Sequence, residues 1–202
     1  ARLYSDAKTD IVAIRGSFHG RLFGSLAATD RPGYRLPFRP LADGIGIVER
    51  DIEDIANAIS EETTAAIILE PVQGEGGVRV LDPGFVREIR ELTRERRIAL
   101  IFDEIQCGLG RTGTLFAYER IGVEPDLLTV AKPMAAGLPM GAVLLTDDIA
   151  SAIKPGDHDT IFGGGPYVAT VAEYVFDRLR DPSLLAAVGE NGAWFGEQLR
   201  EI

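Results

Sequence analysis

Short, continuous apolar runs recur along the chain, and each is followed by Gly, Pro or a polar residue. Such runs are typical of strands that are buried on both faces of a sheet. We therefore predict strands at residues 11–15, 65–70, 98–102, 127–131 and 141–146.

Other segments repeat their apolar residues at helical spacing. Residues 51–60 place Ile52, Ile55 and Ile59 on one face behind Asp51, a residue type that caps helix N-termini. The same reasoning, with Asp82 as cap and Phe85, Ile89 and Leu92 on one face, predicts a helix at residues 82–97. Further helices are predicted at residues 147–153, 167–180 and 184–202, and loops rich in Pro or Gly at residues 30–46 and 156–165.

The alternation of strands with helices predicts an α/β fold, in which a mostly parallel sheet is covered by helices on both faces. In such sheets, ligands bind beyond the carboxyl ends of the strands. Three of the predicted strands end in a side chain that could do chemistry, namely Glu70, Asp103 and Lys132. We therefore expect the functional site at this edge of the sheet.

Composition excludes several classes of function. The net charge is −10 and no basic block collects the arginines, which argues against a nucleic-acid partner. No apolar run approaches the ~18 residues of a membrane span. The single cysteine, Cys107, cannot form an internal disulfide, and no signal-peptide pattern opens the chain, so we expect a cytoplasmic protein. His19 and His158, the only histidines, lie too far in sequence from any cluster of acids or cysteines to suggest a metal site.

Lys132 lies at the end of a predicted strand. Unlike an arginine, a lysine at this position can act as a nucleophilic amine. Lys132 is one of only three lysines among 21 basic residues. Burial would disfavour its charged form and leave a nucleophilic amine, and the apolar neighbours that predict such burial are Leu128, Val130, Ala131 and Met134. The alternative is an ordinary strand-end lysine whose amine reaches water past Pro133.

Asp103 follows a fully apolar strand, and a buried carboxylate there needs a cation or donors. Its partner could be an arginine such as Arg111, or it could be the cation of a ligand. A protonated pyridine nitrogen would fit, and a neighbouring strand-end lysine that can form an imine would supply the other half of a pyridoxal phosphate site.

A glycine motif supports a different hypothesis. Residues 108–113, GLGRTG, match G-x-G-x-x-G, and Asp126 lies where a ribose-binding acid would fall, which favours a dinucleotide-binding dehydrogenase. However, five residues separate the strand from the first glycine, and the stretch after Gly113 is too short for a crossover helix.

Five motifs together resemble, in order and spacing, the class III pyridoxal-phosphate aminotransferases, and within them the acetylornithine and ornithine aminotransferase branch. They are FHGR at 18–21, LEPVQGEGG at 69–77, FDEIQCGLGRTG at 102–113, PDLLTVAKPMAAGLPMGA at 125–142 and FGGGP at 162–166. The resemblance implies a fold-type I large domain over residues 1–180, with residues 181–202 starting a helical link to a C-terminal small domain.

The resemblance also implies roles for individual residues. Lys132 would bind pyridoxal phosphate covalently and move the proton, and Asp103 would keep the pyridine nitrogen protonated. Gln106 would donate to the ring hydroxyl, and Phe18 would stack on the ring. The predicted cofactor-binding residues are Lys132, Asp103, Glu104, Ile105, Gln106, Phe18 and Ile161.

On the substrate side, the resemblance implies that the forked donors of Arg21 meet the substrate carboxylate. Thr160 would lie near the substrate, and Glu75 would face it and pair with an arginine from the C-terminal region. Glu70 is predicted to be a structural, hydrogen-bonded strand end.

One loop departs from the family pattern. The family commonly reads H-G-T-T-F-G-G-N-P where this chain reads HDTIFGGGP, at residues 158–166. Ile161 replaces a threonine whose hydroxyl binds the cofactor phosphate of the partner subunit, at a cost of roughly 1.5 to 3 kcal/mol. Asp159 adds a negative charge near the same phosphate. Both changes predict weaker cofactor binding.

The resemblance implies a homodimer with the active site at the subunit interface. The expected reaction moves a terminal amino group from an ornithine-like donor, with N-acetylornithine as the first choice, to 2-oxoglutarate. Ornithine, 4-aminobutyrate and lysine-carrier donors stay open. The chain begins without Met and stops within a predicted helix, so we expect segments beyond both ends, including the family's phosphate-binding turn. The competing hypothesis is a non-catalytic or degenerate fragment that keeps the fold and the dimer surface.

Overall fold

The computed structural model describes residues 1–5 and 8–202. Its strands are β1 Asp10–Ile14, β2 Ile45–Val48, β3 Thr64–Leu69, β4 Val72–Gln73, β5 Arg79–Val80, β6 Ala99–Asp103, β7 Leu127–Val130 and β8 Ala142–Leu145. Its helices are α1 Phe23–Ala27, α2 Pro32–Arg35, α3 Ile52–Ala58, α4 Pro83–Glu95, α5 Tyr118–Ile121, α6 Asp147–Ser151, α7 Pro166–Leu179 and α8 Pro182–Arg200.

Six of the strands form one sheet in the order β2-β1-β3-β6-β7-β8. All neighbours in it run parallel except β7 and β8, which pair antiparallel. Strands β4 and β5 form a separate small hairpin. The predicted α/β fold with a mostly parallel sheet is therefore confirmed.

Strands β3 and β6 lie at the centre of the sheet and are buried along almost their whole length. Alternate residues face opposite sides, so that Leu69 and Phe102 pack in the larger core with Ile89 of α4. On the other face, Ala66 packs in a smaller cluster with Ile149 of α6. Burial on both faces explains why these strands read as continuous apolar runs.

The helices begin where the sequence predicts a cap. The carboxylate of Asp51 accepts hydrogen bonds from the backbone N–H groups of Glu53 and Asp54, and that of Asp82 accepts one from Phe85. On α4, Val86, Ile89 and Thr93 are buried, whereas the predicted Phe85 and Leu92 are only partly buried.

Residues 30–46 are not the single loop that the sequence predicts. They contain α2, a 3-10 turn at Leu36–Phe38 and the start of β2. Strand β2 is an edge strand, and its residues are half-buried or exposed, so no apolar run marks it. Parallel pairing with β1, from Ile11 with Ile45 to Ile14 with Val48, holds it in place.

The predicted helices at the end of the chain are present as α7 and α8, separated at Asp181. Helix α8 has no buried residue but passes close to the glycine-rich loop, where a Cβ on Gly113 would lie 3.4 Å from Cα of Gly189. The assignment of residues 181–202 to a link between domains stays a prediction. None of the helices in the described part of the chain has the length and apolar character that crossing a bilayer requires.

Candidate functional site

A cavity of about 100 Å³ lies at the carboxyl ends of β3, β6 and β7, the edge at which the topology predicts a site. Four chain segments, none of them adjacent in sequence, supply its walls. The lining residues are Phe18, His19, Gly20, Glu70, Glu75, Asp103, Ile105, Gln106 and Lys132.

Asp103 forms the buried floor of this cavity and is 5% exposed. Its Oδ2 lies 2.8 Å from Nδ1 of His19, and its Oδ1 accepts a hydrogen bond of 3.1 Å from the backbone N–H of Ile105. Each oxygen is therefore held by one donor, which fixes the plane of the carboxylate. The alternative pairing with Arg111 is wrong, because His19 occupies that place.

No local sequence pattern links His19 to Asp103, because 84 residues separate them. An ionised carboxylate can only accept, so Nδ1 carries the shared proton. The backbone N–H of His19 donates to Oγ1 of Thr29 at 2.9 Å, and its Nε2 is buried without a partner among residues 1–5 and 8–202. The one available signal was its position beside Phe18 in the FHGR motif.

Glu70 directly follows the last residue of β3 and is 4% exposed. Burial raises the pKa of its carboxyl group to about 7, the charge of Asp103 adds to that rise, and the hydrogen bond from Phe18 and the proximity of His19 oppose it. Its Oε1 accepts a hydrogen bond of 2.8 Å from the backbone N–H of Phe18. Glu70 is thus the hydrogen-bonded strand end that the sequence predicts, and it holds Phe18 at the cavity.

Lys132 begins a 3-10 turn, Lys132–Ala135, one residue after the end of β7. It is the one lysine that lines the cavity, since the amine of Lys8 donates to the carbonyl of Arg97 at 3.1 Å and Lys154 lies elsewhere on the surface. The side chain of Lys132 is exposed, so Lys132 does not have the burial that its apolar neighbours predict.

Gln106 reaches the cavity through a gap left by a glycine. A Cβ on Gly74 would overlap the side-chain amide of Gln106. The turn that carries Glu75 therefore packs directly against Gln106, and both side chains line the cavity.

The side chain of Glu104 does not line the cavity, and the cofactor contact predicted for this residue stays a prediction. It is 1% exposed, and its two oxygens accept hydrogen bonds from the backbone N–H groups of Ala117, at 2.6 Å, and Tyr118, at 2.8 Å. Burial raises the pKa of this carboxyl group to about 7. Glu104 thus anchors the loop that follows Gln106.

The glycines of the GLGRTG motif serve packing. A Cβ on Gly108 would lie 2.8 Å from the carbonyl oxygen of Glu104, and Gly113 faces α8. Asp126, the candidate ribose-binding acid, is paired instead with Arg90 through contacts of 2.6 and 2.8 Å. The dinucleotide hypothesis has no structural support.

Three predicted site residues lie away from the cavity. The guanidinium carbon of Arg21 lies 3.7 Å from the ring centroid of Tyr34. Thr160 lines a different cavity, of about 530 Å³, beside Met140 and the glycines of the FGGGP motif, and Ile161 is 92% exposed. The structure thus groups Phe18, Glu75, Asp103, Ile105, Gln106 and Lys132 and leaves Arg21, Thr160 and Ile161 outside that group.

The cavity has side chains that suit the ring and the aldehyde of pyridoxal phosphate. A buried carboxylate can meet a protonated ring nitrogen, an amine can bond to the aldehyde carbon, and an aromatic side chain can cover the ring. Its volume is below the roughly 300 to 1,000 Å³ of small-molecule sites, so these residues make only part of a complete site. Among the described residues, no group of three His, Cys, Asp or Glu side chains could hold a metal ion.

A larger surface groove, of about 630 Å³, lies beside α4 and α5. It is lined by arginines and glutamates in equal number, so its charged side chains favour neither an anion nor a cation.

Comparison with known proteins gives a consistent result. The family described as "Aminotransferase class-III" matches residues 2–202. A probable mitochondrial acetylornithine aminotransferase of Dictyostelium discoideum is 46% identical over 199 residues, which are 96% of this chain and 44% of that protein. The chain therefore spans less than half of that relative's length.

Solved structures agree with the sequence comparison. The ornithine aminotransferase of Toxoplasma gondii superimposes with a TM-score of 0.92 and 31% identity, over 99% of this chain and 50% of that one. An amine transaminase from an uncultivated Pseudomonas species, solved in its PLP-bound form, gives a TM-score of 0.91 and 29% identity, over 98% and 52% of the two chains.

Proposed function

Because this chain belongs to the class-III aminotransferase family, whose enzymes depend on pyridoxal phosphate (PLP), we propose that the protein transfers a terminal amino group from an ornithine-like donor to a 2-oxo acid. N-Acetylornithine is the proposed donor, because the Dictyostelium relative is named for it. 2-Oxoglutarate is the proposed acceptor. The observation that carries the proposal is the single cavity that gathers Lys132, Asp103, Gln106 and Phe18.

When bound, PLP supplies an electron-accepting ring that stabilises negative charge next to the reacting amine. The chain's own residues would orient that ring and move protons. Asp103, fixed by His19 and the N–H of Ile105, presents a carboxylate of defined direction to a protonated ring nitrogen. Phe18, fixed by Glu70, offers an aromatic face, and Gln106 offers amide donors.

Lys132 would hold the cofactor covalently and, once displaced by the substrate amine, carry a proton to and from the substrate carbon. An amine can act first as a nucleophile and then as an acid and base, which arginine cannot. Its place at the cavity, one strand away from Asp103, supports both roles.

The test is reduction with borohydride after addition of PLP to the full-length protein, followed by peptide mapping. We expect a visible absorption band and a reduced adduct on the peptide that contains Lys132. The Lys132→Ala variant should lose both, whereas Lys154→Ala, which removes an exposed lysine that does not line the cavity, should keep both. An adduct spread over all three lysines would instead support the non-catalytic hypothesis.

A homodimer with the active site at its interface and a cytoplasmic location are part of the same proposal. Dimerisation is supported by Ile161 and Phe162, which are 92% and 89% exposed on the loop that follows His158.

The identity of the donor is tested by comparing kcat/KM for amino transfer to 2-oxoglutarate from N-acetylornithine, ornithine and 4-aminobutyrate.

A further inference from the structure

Tyr34 lies between two of the predicted site residues, although no sequence motif contains it. The guanidinium carbon of Arg21 lies 3.7 Å from its ring centroid. The ring of Tyr34 also meets that of Phe18 edge to face, with the centroids 6.4 Å apart and the planes at 81°. Phe18 lines the cavity and Arg21 follows Gly20, which also lines it.

The short helix that carries Tyr34 is anchored on both sides of the cavity. Asp30 accepts a hydrogen bond of 2.8 Å from the N–H of Gly16 and donates its own N–H to the carbonyl of Ser17 at 2.9 Å. The guanidinium of Arg31 donates to the backbone carbonyl of Glu75. The position of Tyr34 is therefore fixed relative to both the Phe18 segment and the Glu75 turn.

An exposed arginine ordinarily samples many rotamers, and ordering it on binding costs conformational entropy. Stacking on an aromatic face restricts the guanidinium plane while its edge N–H groups stay free for a carboxylate. We propose that Tyr34 is a positioning residue that holds Arg21 ready for the substrate carboxylate. The proposal rests on the proposed function and on the carboxylate-binding role that the family resemblance implies for Arg21.

Ornithine and 1,4-diaminobutane form a matched pair of donors, because they differ only in the carboxylate. In the full-length protein, Tyr34→Leu should lower the ratio of kcat/KM for ornithine to that for 1,4-diaminobutane by about three- to fivefold, mainly through KM. Tyr34→Phe keeps the ring and should keep the ratio. The dissociation constant of glutarate, measured by calorimetry, should rise by the same factor in Tyr34→Leu.

A ratio of two donors does not depend on how much of the protein is folded, and Tyr34→Met serves as a second variant without a ring. The Arg21→Ala variant and the double mutant with Tyr34→Leu separate the role of Arg21 from that of Tyr34. In the Arg21→Ala background, Tyr34→Leu should not change the ratio further. If Arg21→Ala lowers the ratio but neither Tyr34 variant without a ring does, the inference about Tyr34 is wrong and the role of Arg21 stands. If Arg21→Ala leaves the ratio unchanged, both are wrong.

Discussion

Glu70 and Asp103 are two buried carboxyl groups at one cavity, but their partners differ. Asp103 has a donor on each oxygen, one of them the imidazole of His19. Glu70 has one backbone donor, so burial dominates and raises its pKa to about 7. Glu70 therefore changes its charge close to neutral pH, at the group that holds Phe18.

This raised pKa predicts a pH-dependent stability. The unfolded chain releases the Glu70 proton near pH 4.5 and the folded chain near pH 7, so the stability contribution of the protonated group is complete below pH 4.5 and is lost as the pH rises to about 7. The expected loss is up to about 3 kcal/mol. Unfolding of the Glu70→Gln variant, which can still accept the hydrogen bond from Phe18, should show a flatter pH profile between these values.

Glu88→Gln provides the control, since it removes an exposed carboxyl group from α4 and should leave the profile unchanged. Glu104, whose pKa is raised to the same value, contributes a second loss over the same range. If the free energy of unfolding changed with pH equally in the wild type and in Glu70→Gln, Glu70 would not titrate between pH 4.5 and pH 7.

At the scale of elements, Asp126 joins α4 to the two strands that carry the site. Its carboxylate binds the guanidinium of Arg90 through both oxygens, and Oδ2 also accepts a hydrogen bond of 2.8 Å from the N–H of Leu100 in β6. Its own N–H donates to the carbonyl of Leu100. Asp126 thus fixes the start of β7, which ends just before Lys132.

Removing one partner of the Asp126–Arg90 ion pair should lower the stability of the folded protein. We expect Asp126→Ala to destabilise the protein by about 3 kcal/mol, because a mostly buried guanidinium and the N–H of Leu100 would lose their acceptor. Glu124→Ala, two residues earlier and exposed, should cost little. The midpoint temperature of thermal unfolding measures the effect of both substitutions. Equal midpoints for Asp126→Ala and Glu124→Ala would contradict this role of Asp126.

The elements that sequence reasoning found and missed differ in their burial. The central strands are apolar on both faces and show as continuous runs, and their carboxyl ends placed Asp103 and Lys132 at one edge. Strand β2 is the outermost strand on the β1 side of the sheet and has little burial, so its stability comes from pairing with β1, which no local pattern reveals. His19 lies in a connecting segment and Tyr34 in the four-residue helix α2, and the partners of both are set by tertiary packing rather than by periodicity.

At the scale of the whole molecule, the loop that carries Thr160 and Ile161 is separate from the Lys132 cavity. The resemblance places the residue at position 161 against the cofactor phosphate of a partner subunit, where isoleucine offers no donor. In the proposed dimer, Ile161→Thr should restore one hydrogen bond to a charged acceptor. We expect the dissociation constant of PLP to fall by about tenfold or more.

Spectroscopic titration of the full-length protein with PLP measures this change, and sedimentation shows whether it is dimeric. Val143→Thr, a similar substitution at an exposed position of β8, should leave the affinity for PLP unchanged. A monomer, or an Ile161→Thr variant whose affinity is unaltered, would contradict the interface site.

The contact between Gly74 and Gln106 separates the requirements of folding from those of ligand binding at position 74. The obstacle to a larger residue at position 74 is the end of a flexible side chain rather than the backbone, so the fold could accommodate it by turning Gln106 aside. The displaced amide would leave the cavity while the core stayed intact. A screen for folded protein would therefore pass such a variant, and only a screen for ligand affinity would reject it. Position 74 would then be constrained by binding although a glycine has no side chain with which to bind.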